Sequence, residues 1–352
     1  MQARTAFLVF VGVWLSCSSK SGPAQPAADA ALGTGGAVGG GGAIGSGGGT
    51  VLSGDGGAIG SGGSGGAPDA RVPTDETGGL PDVDECAQPG VDWIFCSGFE
   101  EGSKSVWDDY DGNPDQTNLL MADPGPQNLS GNHVMRLRVP AGRGGADLVK
   151  VLSEPADKLY ARWYVKYETG FDFGAPNHGG GLHAGSRDLL GRSDYRPSGS
   201  DWFTGWVEHT TDMHVYNVYS YYRGMYMDCA NPNGQCWGDH FPCMADQGQT
   251  YCTNPAHRPG VVPPALVTDR WYCVELMMAG GAPSQDGSGA TGMLDLWVDG
   301  QEIGPWAGLW YRTTPDLKLT ILWLSLFHHG DHSVAGLFYD NVVVGRSRVG
   351  CR

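Results

Sequence analysis

Two histidines and two tyrosines are candidates for acid–base chemistry. His178 and His183 flank the glycine run 179–181, and Tyr219 and Tyr221 alternate along one predicted strand. An imidazole titrates near neutral pH and can remove a proton, whereas a phenol can donate one. These four residues are therefore predicted to be catalytic. The alternative is that the histidines cap loops, while the tyrosines pack or line a binding face without chemistry.

Basic residues are concentrated in part of an acidic chain. The net charge is −16 and the pI is about 4.8, but between residues 136 and 196 basic residues outnumber acidic ones. Arg162 and Lys166 alternate on one predicted strand, so both should point to the same face and could neutralise an anionic ligand. Solvated surface charge is the alternative. The acidic balance disfavours nucleic acid as a partner, because nucleic-acid affinity depends on basic groups that neutralise phosphates.

The segments that must position these residues have the alternation of β-strands. Val298, Asp299, Gly300 and Gln301 read as a tight hairpin turn, and no amphipathic helix of ordinary length is evident. The sequence predicts an all-β fold, an antiparallel β-sandwich of the jelly-roll type. The clearest period-two runs cover residues 134–139, 160–167, 271–278, 293–298, 317–327 and 337–344.

A change in composition near residue 85 divides the chain. Residues 18–84 are rich in Gly, Ser and Ala, with the octapeptide at Gly41 repeated at Gly56. Such a segment buries too little apolar surface to offset chain entropy, so we expect a disordered linker. Residues 85–352 hold nearly all the tryptophans and tyrosines and are numerous enough for one β-sandwich domain.

Residues 1–17 resemble a signal peptide with a lipobox-like end. A short positive start precedes an apolar run and then Leu15, Ser16 and Cys17. We expect Cys17 to be lipidated and the protein to be an exported surface or outer-membrane lipoprotein, with the lipid as its only membrane contact. An ordinary signal peptide, cut slightly later to give a secreted protein, is the alternative. Trp14 departs from the leucine usual in that motif.

The cysteine count fits an oxidising compartment. There are nine cysteines, and lipidation of Cys17 would leave eight, enough for four disulfides. Eight cysteines allow 105 pairings, so no bridge is assigned. The cluster Cys229, Cys236, Cys243 and Cys252 indicates a locally cross-linked loop. A zinc site is the weaker interpretation because the cluster has no Cys-x-x-Cys pair.

Three stretches resemble the jelly-roll polysaccharide lyases of the alginate lyase type, family 14, within the concanavalin A-like lectin and glucanase superfamily. They are residues 159–173 with 179–185, residues 269–275 with 292–300, and residues 327–331 with 338–344. The resemblance implies a carbohydrate-active jelly roll with a polysaccharide as partner. Gly181 stands where the family has a functional lysine, and Thr204 and Trp206 replace its Ser-x-Arg pair. Tyr219 and Tyr221 match its Tyr-x-Tyr strand.

The chemistry implied by this resemblance is β-elimination on a polyuronate. A donor or cation must neutralise the uronate carboxylate, a base must remove the α-proton, and an acid must protonate the leaving oxygen. A non-catalytic lectin-like adhesin is the alternative. Glycoside hydrolysis is less favoured, because the clustered carboxylates of jelly-roll glucanases are absent and Glu208 and Glu275 read as isolated structural acids.

Further candidates concern substrate binding and metal. Trp206 and Thr204 are predicted to bind substrate, Trp206 by stacking on a sugar ring, and His329 is predicted to line the groove. Glu100 and Asp340 resemble the pair that holds structural calcium in carbohydrate-binding jelly rolls. No cofactor is required by these predictions, and structural calcium is optional. Two other metal motifs, an Asp-rich turn at residues 107–115 and a histidine group at residues 328–332, read more simply as turns.

Overall fold

A computed structural model of the chain describes residues 84–110, 117–128, 130–142, 144–175, 177–211, 213–226, 236–243, 257, 261–329, 333 and 335–352, with backbone alone over 117–122. Cys17, the predicted signal peptide and nearly all of the predicted linker lie outside these residues. Cys229 and Cys252 of the predicted cross-linked loop do as well, whereas Cys236 is disulfide-bonded and Cys243 is buried.

The described residues form strands in two antiparallel sheets, with two single-turn 3₁₀ helices at Glu85–Ala87 and Arg187–Leu189. In chain order the strands are β1 (Trp93–Ser97), β2 (Asp109–Tyr110), β3 (Thr117–Ala122), β4 (His133–Val139), β5 (Gly144–Ala156), β6 (Lys158–Tyr167), β7 (Asn177–His178), β8 (Gly181–Gly185), β9 (Trp202–His209), β10 (Tyr216–Tyr221), β11 (Asp239–Phe241), β12 (Trp271–Ala279), β13 (Gly292–Val298), β14 (Gln301–Glu302), β15 (Trp306–Leu309), β16 (Leu319–His328) and β17 (Ala335–Gly345).

The larger sheet runs in the order β14-β13-β12-β6-β17-β4-β3, with β1 also paired to β17 and β15 to β13. The second sheet runs β11-β10-β9-β8-β16-β5-β2, with β7 also paired to β16. Neighbours in the sheets are mostly distant in sequence, which is the non-local pairing expected of a jelly roll. The predicted all-β sandwich is confirmed.

All six period-two runs lie on strands, namely β4, β6, β12, β13, β16 and β17. The predicted hairpin turn is confirmed between β13 and β14. Its central residues, Asp299 and Gly300, have φ of 51° and 80°. Positive φ at both central residues is the signature of the turn that suits the twist of a tight hairpin.

Alternation along β9 defines the two faces of the second sheet. Phe203 and Val207 are buried toward the first sheet, and a side chain at Gly205 would meet the Met278 sulfur of β12 at 3.0 Å. Trp202, Thr204, Trp206 and Glu208 must therefore point to the opposite side, which we call the outer face. Tyr219 and Tyr221 of β10 oppose Trp206 and Thr204 in register, so they share that face.

Two disulfides hold the ends of the domain. Cys86–Cys96 ties the first turn to β1, and Cys273–Cys351 ties β12 to the C-terminal tail. The tail also donates the backbone N–H groups of Val349 and Gly350 to the buried carboxylate of Glu275. Glu275 is therefore a structural acid, as predicted. No helix of the described residues is long and apolar enough to cross a membrane.

Candidate active site

The centre of the outer face is a carboxylate held between two imidazoles. Glu208 lies near the end of β9, between β7 and β10 in space. Its Oε2 is 2.5 Å from Nδ1 of His178 on β7, and its Oε1 is 3.3 Å from Nε2 of His240 on β11. Both carboxylate oxygens are thus engaged by rings from two other strands. Three chain segments that are separate in sequence build this group.

Glu208 is almost completely buried, and the two histidines determine its ionisation. Burial alone would raise the pKa of this carboxyl, since desolvation disfavours the charged form. The charge and hydrogen bonds of His178 and His240 outweigh burial and lower the pKa of Glu208 to about 2. The site therefore contains a permanent carboxylate at neutral pH, which favours a proton on the facing nitrogen of each imidazole.

Tyr219 stacks beside both histidines. Its ring centroid is 5.4 Å from that of His178 and 4.7 Å from that of His240, with nearly parallel planes. Its hydroxyl is 2.9 Å from that of Tyr221 and accepts a hydrogen bond from the backbone N–H of Gly238 at 3.2 Å. Burial raises the pKa of Tyr219 well above its ordinary value and that of Tyr221 to about 12. Both phenols therefore carry their protons at neutral pH.

His329 completes the cluster from the solvent side. Its Nε2 is 2.7 Å from Nε2 of His178, and its side chain is exposed. If Nδ1 of His178 donates to Glu208, then Nε2 of His178 carries the lone pair and accepts from His329. The side chain of His178 is 23% exposed, and its Nε2 is the ring nitrogen that faces His329 and the solvent side of the cluster.

Trp206 forms the floor of the cluster. Its ring lies 5.9 Å from His178, 6.0 Å from Tyr219 and 5.3 Å from Trp323, by centroids. The predicted stacking role is limited by burial, since only 3% of Trp206 is exposed. Its indole nitrogen has no hydrogen-bond partner among the described residues. Trp206 shapes the site from beneath and does not present an open ring face to a ligand.

Two predicted residues of the same face are unsuited to their predicted roles. His183 is fully buried beside Trp202, with Nε2 bonded to the carbonyl of Ser186 at 3.2 Å, and burial lowers its pKa to about 4. A neutral, enclosed imidazole cannot reach a polymer, so the prediction of His183 as a base is wrong. Thr204 is likewise fully buried and donates to the carbonyl of Leu182, which contradicts its predicted substrate contact.

The predicted cations lie on the other sheet. Arg162 and Lys166 do share one face of β6, but β6 belongs to the nine-stranded sheet. Arg162 is fully buried, with its guanidinium paired to Glu85 and bonded to the carbonyl of Asn341. Lys166 pairs with Asp123 at 2.9 Å. The structure therefore does not bring them together with the two tyrosines, because strand alternation does not reveal which sheet a strand joins. Their predicted role in binding substrate stays a prediction.

The predicted calcium pair has other partners. Asp340 is fully buried and accepts from the Asn132 side chain at 2.9 Å and from the Asn341 backbone at 2.7 Å. Glu100 accepts from the backbone N–H of His133. No group of three His, Cys, Asp or Glu side chains suited to a metal occurs among the described residues.

The two other metal motifs are only partly described. Residues 111–115 of the Asp-rich turn fall outside the described ranges, as do Asp331 and His332 of the histidine group. His328 is buried and the adjacent His329 is exposed, as expected of neighbours on a strand.

Sequence reasoning missed the importance of two residues. Glu208 reads as an isolated structural acid, and His240 lies in a short strand next to the cysteine-rich segment. The available signal was the position of Glu208, two residues after Trp206 and so on the same face. Nothing local indicated His240, which joins the group through its register opposite Tyr219.

The lysine expected from the family resemblance has no counterpart at this site. A Cβ atom at Gly181 would collide with the carbonyl oxygen of Gly205, so no side chain fits there. Trp206 and Trp323 are the register partners of Gly181 on either side. Among the described residues of this cluster, histidines provide the groups that can become cationic.

No family model matches the chain, and no curated protein matches its sequence. Among solved structures, alginate lyase vAL-1 from Chlorella virus superposes with a TM-score of 0.53 at 16% identity, over 72% of this chain and 100% of that chain. The PL-14 alginate lyase from Aplysia kurodai gives 0.49 at 12% identity, over 72% and 99%. The endo-β-1,4-glucuronan lyase from Trichoderma reesei gives 0.47 at 14%, over 72% and 96%.

At 16% identity, the superposition on the viral enzyme establishes shared fold and not shared activity. The two-sheet topology of this chain and its superposition on the viral enzyme indicate the same fold. The domain described here has the β-jelly-roll fold found in alginate lyases.

Proposed function

We propose that the protein binds a polyuronate on the outer face of the eight-stranded sheet and cleaves it by β-elimination. The single observation that carries the proposal is the group of His178, Glu208 and Tyr219: an imidazole oriented by a buried carboxylate, stacked on a protonated phenol. A base and an acid side by side are what elimination requires. The shared fold with alginate lyases is consistent with this chemistry.

In this proposal His178 is the base. Glu208 accepts a hydrogen bond from Nδ1, which leaves the Nε2 lone pair on the partly exposed side of the site. His329 contacts Nε2 there, and it releases this lone pair when it turns to the uronate carboxylate. Nε2 takes the proton at C5 of the uronate, and the electrons of that C–H bond form the double bond between C4 and C5. The ionised Glu208 then stabilises the imidazolium, as carboxylates do for catalytic histidines elsewhere.

Tyr219 is the acid. As the double bond forms, the bond between C4 and the glycosidic oxygen breaks and the oxygen takes the phenolic proton. The Gly238 N–H donates to the Tyr219 hydroxyl, and the Tyr221 hydroxyl lies within hydrogen-bonding distance. Both can stabilise negative charge that develops on the phenol. Proton transfer from His178 back to Tyr219 through solvent would restore the starting state.

His329 is the candidate for neutralising the uronate carboxylate. It is exposed and lies 2.7 Å from His178. A protonated imidazole there would offset the carboxylate charge and make the C5 proton more acidic.

The test measures the ultraviolet absorbance of the unsaturated uronate that elimination creates. The full chain is incubated with polymannuronate, polyguluronate, glucuronan and a neutral glucan. We expect a rise with at least one polyuronate, about a hundredfold slower or more in His178→Gln and unchanged in His133→Gln. His133 is a matched control because it also pairs with a glutamate but lies on the nine-stranded sheet. No rise with any polyuronate would refute elimination.

A non-catalytic lectin-like binder is the second candidate. The observation that favours it is that the Tyr219 hydroxyl already has two partners within the protein and only 7% of the residue is exposed. Polysaccharide binding in a pull-down, without unsaturated product, would support this candidate. In that case His178→Gln and Tyr219→Phe would alter affinity alone.

Export with a lipid anchor is a separate part of the proposal. It rests on the apolar run before Cys17 and on the disulfides Cys86–Cys96 and Cys273–Cys351, which suit an oxidising compartment. Metabolic labelling with a fatty-acid analogue in a bacterial host should label the wild type and not Cys17→Ala. A Cys17→Ala variant that still carries the label would refute lipidation at this cysteine.

A further inference from the structure

A second cleft lies beside the candidate active site on the outer face. It is lined by residues of β2, β5 and β16 and by the turn at residues 187–190, and it encloses about 370 Å³. That volume is within the range of small-molecule sites, about 300–1,000 Å³. Trp323 is one of its walls and is 5.3 Å from Trp206, which in turn is 5.9 Å from His178. The cleft is thus one aromatic ring away from the proposed catalytic histidine.

The aromatic wall is held in a fixed orientation. The indole nitrogen of Trp323 donates to Oδ1 of Asp147 at 2.7 Å, and its ring meets Trp206 edge to face. Tyr110 stands at the opposite strand edge with 40% of its surface exposed. Partly exposed, oriented aromatic rings with a few polar groups nearby are characteristic of sites that bind small rings.

The charged lining favours an uncharged ligand. Asp109 and Asp147 contribute carboxylates, and Arg187 contributes one guanidinium, which pairs with Asp109. The side chains that line the cleft carry one excess negative charge between them, and the Lys104 ammonium lies next to this lining, 3.8 Å from the centre of the Tyr110 ring. A uronate carboxylate placed there would meet like charge. Sugar hydroxyls, in contrast, can donate to the aspartates and accept from Arg187.

We infer that this cleft is a subsite for a neutral hexopyranose residue, which stacks on Trp323 and bonds through its hydroxyls to Asp147 and Arg187. The inference rests on the proposed glycan-binding face but not on elimination. It adds a specificity: the preferred polyuronate carries a neutral sugar at a position flanking the uronate that reaches His178, and homopolymeric polyuronates are cleaved without using this subsite. A homopolymeric uronate would then be a poor ligand at this subsite.

The test is calorimetric titration of the full chain with neutral gluco- and manno-oligosaccharides and with oligomannuronate and oligoguluronate. We expect neutral oligosaccharides to bind, and we expect Trp323→Ala to lower their affinity at least about tenfold. Trp271→Ala should not, because that half-buried tryptophan lies on the nine-stranded sheet. Asp147→Asn removes the excess charge and should improve oligouronate binding relative to wild type.

Trp323→Ala could disturb the fold because Trp323 packs on Trp206, so a second variant changes a more exposed residue of the cleft. Arg187 is 45% exposed, and Arg187→Gln should weaken the binding of neutral oligosaccharides. Arg346→Gln should not, because Arg346 is 48% exposed but follows the end of β17 and is not part of the cleft lining. Binding of oligouronates but not of neutral sugars, or no effect of Trp323→Ala and Arg187→Gln, would overturn the inference. Failure of elimination alone would leave these titrations unchanged, so the two proposals fail separately.

Discussion

His178 and Glu208 are 30 residues apart in sequence, yet Nδ1 of one lies 2.5 Å from Oε2 of the other. The pair forms because β7 and β8 both pair with β16 while β9 lies on the other side of β8, which brings the two side chains to one face of the sheet. His240 holds the second oxygen of the same carboxylate. An ionised, almost buried glutamate between two imidazoles is the chemical centre of the outer face.

Glu208→Gln tests whether the carboxylate orients the base. An amide has no net charge to stabilise an imidazolium, and it can present its NH₂ group to His178 instead of an acceptor. We expect the elimination rate to fall about a hundredfold or more, measured by the absorbance of unsaturated product. Glu275→Gln is a matched control, since Glu275 is also a buried strand glutamate but serves the C-terminal tail. Comparable loss of activity in folded samples of both variants would contradict the assigned role.

His183 should contribute to loss of stability in acid. Its ordinary pKa of 6.5 falls to about 4 in the folded state because of burial. As the pH drops from 6.5 to 4, His183 takes up a proton in the unfolded chain but not in the folded chain. The free energy of unfolding therefore falls by up to about 3 kcal/mol. In urea denaturation, His183→Gln should lose less stability than wild type over this range.

The same variant tests the corrected role of His183. His183→Gln should retain elimination activity at neutral pH, because the imidazole is enclosed and bonded to the carbonyl of Ser186. His133→Gln, on the half-exposed surface of the other sheet, serves as the comparison. A folded His183→Gln variant with activity as low as His178→Gln would show that the buried ring takes part in the chemistry after all.

Arg162→Met should destabilise the domain without affecting ligand binding. Removing this guanidinium leaves the carboxylate of Glu85 buried with its closest partner gone, a change that typically costs about 3–5 kcal/mol. Lys166→Met, on the same face of β6, breaks a more exposed pair and should cost about 1 kcal/mol or less. Urea denaturation measures both. Loss of polysaccharide binding in Lys166→Met would restore the role predicted from sequence.

Calcium at Asp340 and Glu100 stays a prediction. Burial raises the pKa of Asp340 to about 8, so the carboxyl holds a proton at neutral pH, and a cation bound there would have to displace it. If calcium binds, the melting temperature should rise with calcium, and more strongly as the pH increases. At a hundred times its Kd the gain is about 2.7 kcal/mol. Asp340→Asn should abolish the effect and Asp286→Asn, an exposed residue elsewhere, should not. A melting temperature insensitive to calcium from neutral to alkaline pH would exclude the site.

Much of the fold follows from local pattern. Side chains alternate between the two faces of a strand, so a strand with one buried face has apolar residues at every second position of the sequence. That is why the runs that became β4, β6, β12, β13, β16 and β17 and the turn at Asp299 and Gly300 were predictable. The same alternation indicated that Tyr219 and Tyr221 share a face, and that Arg162 and Lys166 share another.

The composition of the candidate site depended on pairing between strands distant in sequence. Local alternation states that two residues share a face, but not which sheet or which neighbours they meet. Only the tertiary structure placed Arg162 on the opposite sheet, enclosed His183, and brought Glu208 and His240 to His178 and Tyr219. The sequence by itself determined an all-β domain with acid and base side chains. The register of the assembled sheets decided which of those side chains lie in contact and which are buried.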